Sequence, residues 1–189
     1  MRSVAGLHPD RTAIVVRYQA DTVSQAALSY DSDAIIVRQD DIPGTGRAVQ
    51  CALTELARDG GIEGSVLIAA SDMPLLDTAT LRTLMDYHGS SHDSATLLTA
   101  NLDDPTGYGR IIRGADGDVL RIVEQKDANS SELAVHEVNT SVYVFDAAVL
   151  RKAVAGLDSS NAQGEFYLTD AIEAASAYGS VGAVVAPDP

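Results

Sequence analysis

A chain of 189 residues with 46% hydrophobic and 21% charged residues has the balance of a soluble globular domain with a sizeable core, neither disordered nor fibrous. Its formal net charge of −14 argues against a nucleic-acid binder, which needs clustered Lys and Arg. No apolar run approaches the roughly 20 residues that a membrane helix requires, residues 1–10 hold no apolar signal core, and the single Cys51 cannot form an internal disulfide, so a cytoplasmic protein is expected.

In chain order, short apolar runs rich in β-branched residues predict strands over 12–16, 34–37, 65–70, 95–98 and 142–145. Helical patterns lie between the early ones. They cover 21–28, then 46–58 with Val49, Leu53 and Leu56 on one face, then 78–88 capped by Asp77 or Thr78. This alternation predicts a mainly parallel sheet covered by helices. The middle changes character: 110–113, a turn at 114–117 rich in Gly and Asp, and 119–124 read as a hairpin. Residues 127–132 read as a polar loop, 146–155 and 169–177 as helices, and 181–185 as a final strand. The expected class is one α/β domain with a mixed, mainly parallel sheet and a small antiparallel excursion. The tail 186–189 does not read as a domain ending, and the first strand leads into Arg17-Tyr18-Gln19-Ala20 without a glycine cluster.

Five segments carry residue types suited to chemistry. In Gln39-Asp40-Asp41-Ile42-Pro43-Gly44-Thr45-Gly46, the Gln39 amide offers a donor and an acceptor for a base edge, and Gly44 and Gly46 permit close backbone approach at a helix start. The plainer reading is a loop capped by Thr45. In Ala70-Ser71-Asp72-Met73-Pro74, Asp72 ends a buried strand, where open α/β sheets bind ligands and a carboxylate can hold Mg²⁺ on phosphates; it can equally cap a turn. Gly107-Tyr108-Gly109 offers backbone for a sugar ring, whereas the adjacent Asp103 and Asp104 read as a solvated turn. Glu124, at a strand end, can accept from sugar hydroxyls or sit in an exposed Glu–Lys stretch. Asn139 can bind an acetamido group or hydroxyl, or close a strand-end turn. Cys51 reads as core, and the four histidines lack zinc spacing. Neither a nucleophile elbow nor a Walker loop is present.

Taken in order, these runs carry a resemblance. Gln39, Gly44-Thr45-Gly46 and Asp72-Met73-Pro74-Leu75 resemble the nucleotide-diphosphate-sugar pyrophosphorylases. Asp104-Pro105-Thr106-Gly107-Tyr108-Gly109-Arg110-Ile111, then Ile122-Val123-Glu124-Gln125-Lys126-Asp127, then Glu137-Val138-Asn139-Thr140, narrow it. With Asn161-Ala162-Gln163-Gly164-Glu165-Phe166-Tyr167-Leu168-Thr169-Asp170, they resemble the uridylyltransferase domain of the bifunctional bacterial UDP-N-acetylglucosamine pyrophosphorylase and glucosamine-1-phosphate acetyltransferase. The resemblance implies a Rossmann-like nucleotide-diphospho-sugar transferase fold. It also implies joining of UTP to N-acetylglucosamine 1-phosphate to give UDP-N-acetylglucosamine and pyrophosphate, for cell-wall and lipopolysaccharide precursors.

By the same resemblance, Gln39, Gly44 and Thr45 correspond to uracil contacts, with Ala70 and Ser71 beside them. Asp72 corresponds to the catalytic Mg²⁺ ligand, and Gly109, Glu124 and Asn139 to N-acetylglucosamine contacts. Ser71 stands where the family commonly has glycine. The family's Gly-rich loop and phosphate-binding lysine are expected before Met1. Its second Mg²⁺ ligand, an asparagine, and its trimerising left-handed β-helix are expected after Pro189. This chain alone is therefore expected to turn over weakly or not at all and to be monomeric. Ser71-Asp72-Met73-Pro74 also resembles the molybdopterin-type guanylyl- and cytidylyltransferases, and a non-catalytic nucleotide-sugar-binding module is the reading from another class.

Overall fold

The computed structural model describes residues 1–58 and 60–187. Of the tail singled out above, Asp188 and Pro189 lie outside the described residues. The elements run α1 (Arg2–Ala5), β1 (Ala13–Val16), α2 (Ala20–Tyr30), β2 (Ile35–Arg38), α3 (Thr45–Ala57), β3 (Ser65–Ala69), α4 (Thr78–Ser91), β4 (Ala95–Asn101), β5 (Arg110–Arg113), β6 (Val119–Val123), α5 (Ser130–Leu133), β7 (Glu137–Asp146), α6 (Ala147–Ala155), α7 (Asp170–Ser176) and β8 (Val181–Val185).

β1 and β2 pair in parallel as a two-stranded sheet. The other six strands form a second sheet in the order β6-β5-β7-β4-β8, with β3 also on β7. β4 and β8 are parallel neighbours. β7 runs against β3, β4 and β5, and β6 runs against β5, so β3, β4, β5 and β8 share one direction. The sheet is mixed as expected, but β3 and β4 are separated by a reversed strand rather than adjacent.

Period-two alternation explains the layering. Tyr143 and Phe145 of β7, Leu97 of β4 and Ile68 of β3 face one cluster, with Val49 of α3, Leu150 of α6 and Ile172 of α7. Val142, Val144, Leu98 and Leu67 face the opposite cluster, with Leu81 and Leu84 of α4 and Val4 of α1. The apolar residues in the middle of the central strands thus bury against helices on one face or the other.

Three sequence expectations change. β7 is ten residues long, not four, because polar Asn139 and Thr140 are buried or half-buried within the sheet. The loop expected at 127–132 holds a short helix, since Asn129 and Glu132 form a reciprocal capping box that polarity alone did not reveal. Cys51 is partly buried rather than fully in the core. Asp77 caps α4 as expected, accepting from the Thr80 N–H at 2.8 Å.

Candidate active site

β7 changes neighbours along its length, and the change builds the site. Its second half pairs with β3 and its first residues touch β5, while β4 lies alongside throughout. Between the halves the β4 register slips, with Leu98 opposite Val142 but Thr99 opposite Asn139. Thr140 and Ser141 are the extra residues. Ser141 has φ 61°, and the Thr140 hydroxyl donates to the Leu98 carbonyl at 2.7 Å. Bulges of this kind re-aim side chains beside functional sites.

Around the bulge, three of the candidates come together. The Asn139 N–H donates to the Gly109 carbonyl at 2.9 Å. The Asn139 side chain is buried; its Nδ2 donates to the Tyr143 hydroxyl at 2.7 Å and its Oδ1 accepts from the Ser141 N–H at 3.1 Å. Gly109 is buried with its Cα toward Glu124: a Cβ there would meet Ile122 at 3.0 Å and both carboxylate oxygens of Glu124 at 3.5 Å. Gly109 is thus a close-approach glycine against Ile122 and Glu124, a packing role that its sequence did not signal. Burial pushes the Glu124 carboxyl above its usual range; the Thr169 hydroxyl, donating at 3.2 Å, partly offsets this, and Asp127 adds to the rise.

The end of β3 lies against the same bulge. The Ala70 N–H donates to the Ser141 carbonyl at 3.2 Å. The chain then turns through Ser71 and Asp72, both exposed, while Met73 and Leu76 anchor the turn in the α4-side cluster. Asp72 therefore projects from a fixed turn. Among the described residues no group of three or more His, Cys, Asp or Glu side chains converges as a metal cage. A lone strand-end carboxylate suits Mg²⁺ carried on phosphates, which takes one or two protein carboxylates rather than a full cage.

The first candidate loop is held more tightly than its sequence indicated. The Gln39 amide nitrogen donates to the carbonyls of Ile42 at 2.9 Å and Gly44 at 3.1 Å, leaving its Oε1 as the unspent face. Gly44 has φ 116°, and a Cβ there would lie 2.2 Å from the Phe166 carbonyl oxygen. The Gly46 N–H donates to that same carbonyl at 2.8 Å, so this first-turn donor of α3 is already committed. Thr45 does not cap α3; its hydroxyl accepts from the Leu168 N–H at 3.0 Å. Cations flank the loop. Arg17 donates to the Asp41 carbonyl at 2.9 Å, and Arg47 forks onto Asp40, which holds the Asp40 carboxyl below its usual range.

Sequence reasoning gave residues 161–169 no chemical role. They join the two halves. Phe166 and Leu168 pair with the Gly44 loop, and the next residue, Thr169, bonds Glu124. Asn161 shapes the turn by accepting from the Gln163 and Glu165 N–H groups at 3.2 Å, while Asp127 accepts from the Ala162 N–H at 2.9 Å. Arg17 and Arg47 were likewise missed, because an isolated arginine carries no spacing signal.

Comparison with known proteins agrees with this architecture. A family model described as nucleotidyl transferase matches residues 4–187. The chain is 67% identical over 189 residues to a bifunctional protein GlmU of Bifidobacterium longum subsp. infantis, covering all of this chain and 41% of the relative. It is 46% identical over 179 residues to the bifunctional protein GlmU of Kineococcus radiotolerans, covering 95% of this chain and 36% of the relative. The relation expected from the motifs is therefore borne out, and the chain spans about two fifths of the length of these relatives. The crystal structure of an apo UDP-glucose pyrophosphorylase superposes with a TM-score of 0.63 at 15% identity, covering 89% of this chain and 70% of that one, which bears out the fold. The chain belongs to the nucleotidyl transferase family.

Proposed function

We propose that this chain is the uridylyl-transferring part of a cytoplasmic enzyme that makes UDP-N-acetylglucosamine. In this reading a phosphate oxygen of N-acetylglucosamine 1-phosphate attacks the α-phosphorus of UTP, and the bond to the departing pyrophosphate breaks. The Gln39 Oε1 and the backbone at Gly44 and Thr45 read the uracil, with Ala70 and Ser71 lining its edge. Gly109, Glu124 and Asn139 hold the sugar. Asp72 holds Mg²⁺, which supplies charge screening between two phosphorylated reactants. The chain's own contribution is orientation in a fixed frame, so no side chain forms a covalent intermediate. The whole protein's acetyl transfer and trimeric assembly belong to its other parts.

One observation carries this reading: Gly109, Glu124 and Asn139, far apart in sequence, converge beside the strand end that presents Asp72. Relatives bearing the name bifunctional protein GlmU support it. Calorimetric titration of the folded chain with UDP-N-acetylglucosamine, with and without Mg²⁺, tests it against GDP-mannose and CDP. Selective uptake of the uridine ligand, tighter with Mg²⁺, is expected. Preference for guanosine or cytidine ligands turns the reading toward the molybdopterin-type enzymes, and equal or absent binding overturns it for this chain.

A further inference from the structure

Tyr143 lies in the middle of β7 and is 2% exposed. Its ring packs beside Phe145 in the cluster that holds Leu97, Leu150 and Ile172, with centroids 6.2 Å apart, so the core fixes where its hydroxyl can be. Asn139 stands four residues earlier in the same strand. In a regular strand these Cα atoms would be about 13 Å apart, beyond easy reach for a buried hydrogen bond. The two-residue bulge at Thr140 and Ser141, with Ser141 at φ 61°, shortens that path and brings the Asn139 Nδ2 to 2.7 Å from the tyrosine hydroxyl. On the other side, the Ser141 N–H holds the Asn139 Oδ1 at 3.1 Å. The amide is therefore clamped at both ends and its two faces are not interchangeable. One N–H and one carbonyl lone pair remain to be presented.

We propose that Tyr143 is a positioning residue for sugar recognition, fixing the flip state of the Asn139 amide through the β7 bulge so that a defined donor and acceptor face the bound sugar. The proposal rests on the reading of Asn139 as a sugar contact. Burial holds the Tyr143 hydroxyl well above its ordinary titration range, so the clamp is neutral across the physiological range. A flexible amide would lose rotational freedom on each binding event; a clamped one has already lost it during folding.

Calorimetry of the wild-type chain, Tyr143→Phe, Asn139→Ala and the double variant, each titrated with UDP-N-acetylglucosamine and with UDP, tests it. Tyr143→Phe is expected to weaken UDP-N-acetylglucosamine about three- to tenfold, the worth of one hydrogen bond, with UDP affinity unchanged. Asn139→Ala should weaken it at least as much, and Tyr143→Phe should have no further effect in the Asn139→Ala background. If Asn139→Ala weakens the sugar ligand and Tyr143→Phe does not, or if the two effects simply add, the positioning role is overturned while the sugar-site reading stands. If the wild type binds UDP-N-acetylglucosamine no better than UDP, the sugar-site reading itself fails. Should Tyr143→Phe not fold, the side-chain amide protons of Asn139 in the free wild type decide. A dispersed, slowly exchanging Nδ2 signal, assigned by its loss in Asn139→Ala, supports the clamp, and a rapidly exchanging one overturns it.

Discussion

At the scale of one residue, Glu124, the proposed sugar contact, sets function against stability. Its carboxyl is desolvated beside Gly109 and accepts a hydrogen bond from the Thr169 hydroxyl. Its acid is held above the usual range, so the folded state binds more protons than the unfolded chain as pH rises through that range. Stability therefore falls as pH rises from the ordinary glutamate range, and keeping Glu124 buried above that range is a net cost. Glu124→Gln keeps an acceptor for Thr169 and removes the charge. We expect it to melt higher than the wild type at pH 7, with the advantage vanishing at about pH 3.5, where both states of the wild type are protonated. UDP-N-acetylglucosamine affinity should fall about tenfold or more, because an ionised acceptor is replaced by a neutral one. A variant that melts lower at pH 7 would show that the carboxylate is compensated by partners beyond Thr169.

At the scale of elements, the start of α3 and residues 161–169 form one structural unit. Phe166 donates to the Pro43 carbonyl and accepts from the Gly46 N–H, across more than a hundred residues of chain. Gly44 permits this closeness twice, through its φ of 116° and through the missing Cβ that would meet the Phe166 backbone. Gly164 has φ 66° with open space around it, so it shares the backbone demand without the close approach. Gly44→Ala is expected to cost about 2–4 kcal/mol in urea unfolding, and Gly164→Ala about 1 kcal/mol, the excess measuring the contact with Phe166. Equal costs for the two would mean that the segment shifts away freely and is not a fixed clasp.

How much of this was legible in the sequence follows the range of the interactions. The 110–124 hairpin was readable because its turn chemistry is local, and so was the Asp77 cap. The full length of β7 was not. Asn139 and Thr140 look like loop residues until the partners that satisfy them, Tyr143 and the Leu98 carbonyl, are known. Thr45 reads as a cap for the same reason, since Leu168 lies 123 positions away.

Across the whole molecule, the proposed function asks an acidic chain of net charge −14 to receive anionic nucleotides. Local cations soften the field at the Gly44 loop, where Arg17 and Arg47 sit, but Arg47 is already forked onto Asp40. Like-charge repulsion then acts over the protein as a whole and is screened within about 10 Å at 0.1 M salt. Without Mg²⁺, UDP-N-acetylglucosamine should bind more tightly by a few-fold as salt rises from about 10 to 150 mM, the reverse of the usual basic nucleotide site. Measured by calorimetry, a loss of affinity over that range would mean that the local arginines outweigh the net charge.

The sequence by itself determined the α/β class, the order of most strands and helices, the two apolar faces of the central strands and the motifs by which the chain resembles its family. All of these depend on neighbours within a few positions, where side-chain period, caps and turns act. Only the tertiary structure decided that β7 lies between β3 and β4, that its bulge brings the Asn139 amide onto the Tyr143 hydroxyl while its backbone N–H bonds Gly109, and that Phe166 to Thr169 tie the two halves of the candidate site together. Those choices are made by hydrogen bonds between residues distant in the chain, whose partners exist only once the sheet has formed.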